Sequence, residues 1–273
     1  MNDPQDLELR LLIEAIYVRY HYDFRRYAIV SLRRRLAGAM ARFGFATLSE
    51  LQGRVLRDPQ LFAQLLDYLT VQVTEMFRDP AYFDALRAEV LPVLATWPSI
   101  RVWVAGCSTG EEAYSLAILL HEAGLLPRTI VYATDINAGA LAKARAGVYP
   151  LEQMAGYSGN YQRAGGQAAF SDYYTAAYSG AVMDKALRQA IVFADHSLAT
   201  DSVFAEVQLV SCRNVMIYFD RELQARAIGL FRDALSIGGF LGIGSRESLR
   251  FSPHAPAFRD VRTAERIYAR VRD

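Results

Sequence analysis

Residues 101–117 read Arg-Val-Trp-Val-Ala-Gly-Cys-Ser-Thr-Gly-Glu-Glu-Ala-Tyr-Ser-Leu-Ala: an apolar run, a loop punctuated by Gly106 and Gly110, then a helical pattern opened by two glutamates. A strand that enters a glycine loop and leaves as a helix presents free amide hydrogens beside a backbone that a ligand can approach closely. The next β-rich run ends Ala133-Thr134-Asp135, and Asp135 lies 25 residues after Gly110. That is about the spacing at which an acid grips ribose hydroxyls in nucleotide folds, so the two features together predict an adenosine-containing ligand. The loop is neither the phosphate-cradling GxxxxGK[ST] nor a full GxGxxG, and Glu111 and Glu112 stand where a pyrophosphate would be repelled. A cationic sulfonium with an amino group suits those carboxylates, which favours S-adenosylmethionine, with Glu112 as the contact. Stabilisation of the helix dipole, worth about 0.3–1 kcal/mol, explains the glutamates as well, and the loop alone leaves both readings open.

Outward from this loop, short β-rich runs alternate with helical stretches: Val102 to Ala105, Ile130 to Thr134, Ile191 to Ala194, Val207 to Ser211 and Phe240 to Ile243. Such alternation predicts an α/β domain with a mostly parallel sheet covered by helices on both faces. Two closing runs, around 258–262 and 266–271, are expected to add antiparallel strands. Between about 148 and 190 the alternation lapses into a Tyr- and Gly-rich stretch too long for a connecting loop, read as a small inserted subdomain with a β-hairpin near Tyr178 to Met183. Upstream, apolar residues recur at helical spacing through Ile29, Leu32, Leu36, Met40 and Phe43 and again through Leu61, Leu65, Leu66 and Leu69. Gly44, Asp58-Pro59 and Asp79-Pro80 punctuate these helices. Residues 1–95 are therefore expected to form a helical domain, and 96–273 the α/β domain.

The hydrophobic share of 52% supports a large core, and no apolar run approaches the roughly 20 residues of a membrane span. The first residues lack a basic segment followed by an apolar one, and the two cysteines, Cys107 and Cys212, are far apart with no metal-binding spacing, so a cytoplasmic protein with reduced thiols and no metal is expected. The net charge of +1 argues against wholesale nucleic-acid binding. It is unevenly spread: residues 19–42 carry seven arginines against one aspartate, a segment that suits an acidic partner or a solvated helix face.

Two further segments carry a resemblance. Thr70-Val-Gln-Val-Thr-Glu-Met-Phe-Arg-Asp79, the glycine loop, and Ser211-Cys-Arg-Asn-Val-Met-Ile-Tyr-Phe-Asp220 resemble, in order and spacing, the chemotaxis receptor methyltransferases, the CheR family. The resemblance covers nearly the whole chain. It implies a seven-stranded, Rossmann-like class I methyltransferase sheet behind a helical receptor-docking domain. By the same resemblance, Gln72, Thr74, Arg78, Gly106, Gly110, Glu112, Asp135, Ser197, Leu198, Arg213 and Asn214 belong to the cofactor site, and Arg78 and Tyr218 to the transfer site. Two positions depart from the pattern: Gln72 stands where asparagine is usual, and His196-Ser197 replaces a sequence with asparagine at the second position.

The implied activity is methyl transfer from S-adenosylmethionine to glutamate side chains of chemotaxis-type receptors, leaving S-adenosylhomocysteine. The implied partners are the receptors' glutamate-rich methylation helices, met by Arg26, Arg33 and Arg34 beside the Leu32/Leu36 stripe, with no nucleic acid, no membrane insertion and a monomeric chain. Structural roles stand beside each assignment: Arg78 pairing with Asp79 or Glu75, Tyr218 as a core aromatic, and His196 as a structural histidine. Two other functions compete, a cofactor-binding docking module without turnover and a nucleic-acid methyltransferase. The latter lacks support because Cys212-Arg213-Asn214-Val215 contains no proline, unlike the Pro-Pro motif that cradles a flipped base.

Overall fold

The computed structural model describes residues 3–271. Four helices open the chain: α1 (Pro4–Tyr20), α2 (Ile29–Phe43), α3 (Leu48–Val55) and α4 (Pro59–Leu69). Local chemistry sets their ends. Asp58 caps α4 by accepting from the Gln60 and Leu61 amides with Pro59 in the first turn, Thr47 and Glu50 form a reciprocal capping box on α3, and Gly44 ends α2 in the left-handed conformation. Leu9, Leu12, Leu32, Leu36, Leu51, Leu65 and Leu69 bury into one core.

A second helical stretch comes next, α5 (Pro80–Ala85), a π turn over Leu86–Val90 and α6 (Leu91–Leu94). Helical texture alone assigns it to the N-terminal domain. Its buried side chains, Tyr82, Phe83, Leu86, Val90 and Leu94, instead share a core with Val102, Val104 and Leu116 of the α/β unit. The helical domain's own core therefore closes at Leu69, because burial and not helicity decides which body a segment joins.

The α/β unit comprises β1 (Ile100–Ala105), α7 (Glu111–Glu122), β2 (Thr129–Asp135), α8 (Ala138–Ala146), β3 (Val148–Pro150), α9 (Met154–Arg163), β4 (Tyr174–Ala177), β5 (Gly180–Met183), α10 (Lys185–Gln189), β6 (Ile191–Asp195), β7 (Val207–Cys212), α11 (Arg221–Ala234), β8 (Leu235–Ile243), β9 (Phe258–Arg262) and β10 (Ile267–Arg270). Seven strands form the main sheet in the order β6-β2-β1-β7-β8-β10-β9. The pairs β6/β2, β2/β1, β1/β7 and β7/β8 are parallel, and β10 lies antiparallel between β8 and β9. Of the two closing runs, only β10 thus opposes the rest. The central β7 is buried along its whole length, as expected of a strand covered on both faces. The predicted insertion is a three-stranded antiparallel sheet, β3-β5-β4, with α9 beside it and a hairpin whose exposed tip is Tyr178. Its Tyr157, Tyr161, Phe170 and Met183 join the main core. No helix among the described residues is long and apolar enough to cross a membrane.

Candidate active site

A cleft of about 850 Å³ opens where β6, β2, β1 and β7 end, roofed by the chain that leaves α4. Its floor comes from the loops after these strands, Gly106 to Ser108, Asp135 and Ile136, His196 and Leu198, and Arg213 to Val215. Thr70, Val71, Val73, Thr74 and Arg78 form the roof, while Tyr27, Tyr218 and Phe219 close one side. This is where an open α/β sheet binds its ligand.

Gly106 holds φ +74°, and a Cβ there would stand 2.4 Å from Cγ2 of Val215, so glycine alone lets the loop pass this wall. The Gly106 and Cys107 amides donate to the Thr134 carbonyl, folding the loop back on β2. Asp135 pins the rest of the loop and the start of α8: its carboxylate accepts from the Ser108 amide at 2.8 Å and the Asn137 amide at 2.9 Å. Burial pushes this carboxyl above its usual range, opposed by those amides. Gln72 does not line the cleft. Its Oε1 accepts from the Ser108 hydroxyl at 2.8 Å and its Nε2 donates to Thr70 at 3.0 Å, so the longer amide braces the loop against the roof. Gly110, at φ +96°, is the N-cap of α7 and lies behind the loop, where a Cβ would meet Ala144 at 2.9 Å.

The two glutamates that open α7 part company. Glu111 is buried away from the cleft, accepts from the Thr109 hydroxyl at 2.7 Å, and has its carboxyl pushed up to about 7 by desolvation. Glu112 lines the cleft and accepts from the Ser211 hydroxyl at 2.6 Å and from Arg213 at 3.2 Å. Arg213 is the hub of this corner. Its buried guanidinium also pairs with Asp79 at 2.7 Å, donates to the Arg78 carbonyl at 3.0 Å and lies 4.1 Å from the centre of the Tyr82 ring. Asp79 is thereby engaged, and Arg78 pairs with neither it nor Glu75. Arg78 donates to the Val73 carbonyl at 3.1 Å, forms no ion pair among the described residues, and so presents a free cation to the cleft.

On the opposite side the helical domain reaches in. The amide of Ala28 donates to the Tyr218 carbonyl at 2.8 Å and the Asp220 amide to the Arg26 carbonyl at 2.8 Å, a short antiparallel stitch between the two units. Arg35 is buried on the inner face of α2, donates to the Leu69 carbonyl and places its guanidinium 4.2 Å from the centre of the Tyr218 ring. Its position follows from helical spacing, since 35 shares a face with 32, 36 and 39. A carboxylate absent from any motif, Glu247, shapes the last wall: it accepts from the amides of Asn214, Val215, Ile217 and Gly244, at 3.1, 3.0, 3.2 and 2.6 Å. Asn214 takes φ +61° beneath it, a conformation asparagine tolerates.

Of the residues singled out from sequence, Thr74, Arg78, Gly106, Glu112, Asp135, Leu198, Arg213, Asn214 and Tyr218 line this one cleft. Ser197 does not: past β6 the chain turns His196 and Leu198 inward, and the Ser197 amide donates to Asp201 at 2.9 Å. His196 is held as part of the wall, its Nε2 lying 3.0 Å from the Ser202 carbonyl and its ring edge-on to Trp103 and Phe204. Arg26, Arg33 and Arg34 lie outside the cleft. Arg26 pairs with Glu222 at 2.7 Å, Arg33 pairs with Asp6, and Arg34 is exposed without an ion pair among the described residues.

The sequence matches the model of the family described as "CheR methyltransferase, SAM binding domain" over residues 72–265, and that of "CheR methyltransferase, all-alpha domain" over residues 7–70. The chain belongs to the CheR methyltransferase family. The two matches divide the chain where the helical core closes and the cleft roof begins. Among relatives, "Putative methyltransferase Cher3" of Pseudomonas putida is 58% identical over 96% of this chain and 96% of its own length. A "Chemotaxis protein methyltransferase" of Listeria monocytogenes is 31% identical over 83% of this chain and 84% of its own. Among solved structures, the glycopeptide N-methyltransferase MtfA complexed with sinefungin aligns over 63% of this chain and 50% of that one, at 11% identity and a TM-score of 0.38. As a member of the CheR family the chain is a methyltransferase with a domain for binding S-adenosylmethionine.

Proposed function

We propose that the protein transfers a methyl group from S-adenosylmethionine to glutamate carboxylates on the helical methylation region of a chemotaxis-type receptor. The observation that carries this reading is the charge arrangement of the cleft, where Glu112 and Asp135 supply carboxylates on one side and Arg78, without an ion pair among the described residues, supplies a cation at the roof. Carboxylates suit a ligand with an ammonium, a sulfonium and ribose hydroxyls, and the glycine passage at Gly106 admits it close to the backbone. Glu112, Asp135 and the walls at Leu198 and Asn214 would hold S-adenosylmethionine, which supplies an electrophilic methyl group when bound.

The chain's own task is then alignment. A glutamate, with a reference pKa of about 4.3, is already ionised at pH 7, so the acceptor needs no base. Arg78 attracts and orients the incoming carboxylate, and Tyr218, fixed by Arg35 beneath it, forms the wall along which that carboxylate approaches. Correct placement of two reactants is worth roughly 7–11 kcal/mol of barrier, more than acid–base assistance usually gives. The apolar roof residue Val71 helps exclude water, which would compete and screen. Cys107 also lines the cleft, but burial pushes its thiol well above its usual range and keeps it protonated and unreactive.

For the substrate, the arginine-bearing outer face of α2 offers steering of an acidic helix, chiefly through Arg34, with Arg26 and Arg33 already paired within the chain. The relatives named as chemotaxis protein methyltransferases support the receptor as target. The test is mass spectrometry of receptor cytoplasmic fragments after incubation with the enzyme and S-adenosylmethionine. A methyl ester on glutamate is expected; methylation confined to nitrogen, or none despite tight binding of S-adenosylhomocysteine, would refute it.

A further inference from the structure

Behind Arg78 lies a second, shallow surface groove, lined by Val73, Thr74, Glu75, Arg78, Asp79, Pro80, Asn160 and Arg163. Val73, Thr74 and Arg78 line both, so the roof of the first is a wall of the second. An in-line transfer needs its acceptor to arrive from outside the cofactor's chamber, and this neighbouring groove shares the Arg78 cation with that chamber. Its far wall is the end of α9, in the insertion.

The charges of this groove are unequal in what they have left to give. Asp79 is bound to Arg213 at 2.7 Å, whereas Glu75 is met by the neutral Asn160 side-chain amide at 3.3 Å and by no cation among the described residues, which leaves one uncompensated acid in the groove against two arginines. Arg78 and Arg163 have no carboxylate partner among the described residues. Arg163 is nevertheless held in place: it donates to Asn160 Oδ1, and Asn160 in turn donates to the Met76 carbonyl at 3.1 Å, which ties the end of α9 to the Arg78 segment. An exposed arginine that is oriented by a side-chain amide, with its other donors unmet, is prepared for a planar anion.

We infer that Arg163 is a specificity-determining residue that reads a second carboxylate on the acceptor helix, close to the glutamate that Arg78 orients, with the helix lying along the groove between the Arg78 segment and α9. The inference rests on the proposed glutamate methylation. Neighbours three or four apart on a helix share one face about 5–6 Å from each other, so a second acid beside the methylated glutamate faces the same groove and can meet its second cation. The substrate is thus selected as a pair of acids rather than as an isolated glutamate.

The experiment uses the full chain and a set of synthetic coiled-coil receptor fragments, each with one methylatable glutamate and a single further glutamate placed one, three or four residues away on either side, together with a fragment that has glutamine at all those places. Wild-type enzyme is expected to show a KM about fivefold lower for one placement, the upper range for an exposed ion pair. Arg163→Ala should abolish that preference with kcat and S-adenosylhomocysteine affinity unchanged. Arg163→Glu should reverse it toward a fragment with lysine at the same place. Equal effects of Arg163→Ala on every fragment, the all-glutamine one included, would overturn the inference while leaving glutamate methylation intact. Failure of wild-type enzyme to methylate any fragment would overturn the reading beneath it, and this inference with it.

Discussion

Replacing Arg213 with methionine removes the hub on which the Glu112 corner turns. The guanidinium is buried, and methionine preserves much of its length without charge or donors. Removing one member of a buried pair typically costs about 3–5 kcal/mol, because the other charge stays behind without a partner. Here the Asp79 carboxylate is half exposed and recovers water, so its share is screened. Glu112, only 15% exposed and left with the Ser211 hydroxyl, carries most of the loss together with the unmet Arg78 carbonyl. The low end, about 3 kcal/mol, is therefore expected, or a fall in Tm of roughly 6–12 °C for a chain of this size. Denaturant titration measures the stability and calorimetry the affinity for S-adenosylhomocysteine, which should weaken as Glu112 loses its orientation. Arg213→Lys should recover only part of either, since an ammonium cannot serve Glu112, Asp79 and the carbonyl at once. In a double variant with Glu112→Gln the losses should fall short of additive. A stability loss below about 1 kcal/mol, with wild-type affinity, would refute the hub role.

Glu111, with its carboxyl raised to about 7 by burial, makes the folded state hold a proton that the unfolded chain releases near its ordinary pKa of 4.5. Its contribution is present below that value and lost as pH rises through about 7, so Glu111→Gln should raise Tm at pH 8 and give little at pH 4; a gain independent of pH would contradict this. Gly106→Ala faces both the left-handed backbone penalty of about 1–2 kcal/mol and the 2.4 Å approach to Val215, and should weaken S-adenosylhomocysteine binding. Adding Val215→Ala should restore part of that affinity, and a Gly106→Ala protein that binds like wild type would show the passage is not needed. Glu247→Gln leaves a single acceptor oxygen for four amides, so two lose their partner and a stability loss of at least about 2 kcal/mol is expected by denaturant titration.

The strands were legible because each is a short run rich in apolar and β-branched residues, and β1, β2, β6, β7 and β8 all cover the runs read from sequence. The glycine loop and Asp135 were legible because their chemistry is local. The placement of 80–94 was not, since an amphipathic helix does not state which core it joins. Within the run Arg33-Arg34-Arg35, counting charge concealed that the third residue turns inward beside Leu32 and Leu36, although helical spacing carries that information. The division of labour between Glu111 and Glu112 follows from 100° of helical rotation and was equally readable. Glu247 had no signal, because three of its four amide partners lie 30 or more residues away and only the folded chain collects them.

The stitch between Ala28 and Tyr218 and the roof that descends from α4 mean that the cleft belongs to two hydrophobic cores at once. Occupancy therefore acts as mortar between them. A ligand at 100 times its Kd adds about 2.7 kcal/mol that neither unit can keep if the other melts. Without ligand, calorimetry should resolve the helical bundle and the sheet as separate endotherms; with saturating S-adenosylhomocysteine they should fuse into one, at a higher temperature, as the two halves lose the freedom to fail alone.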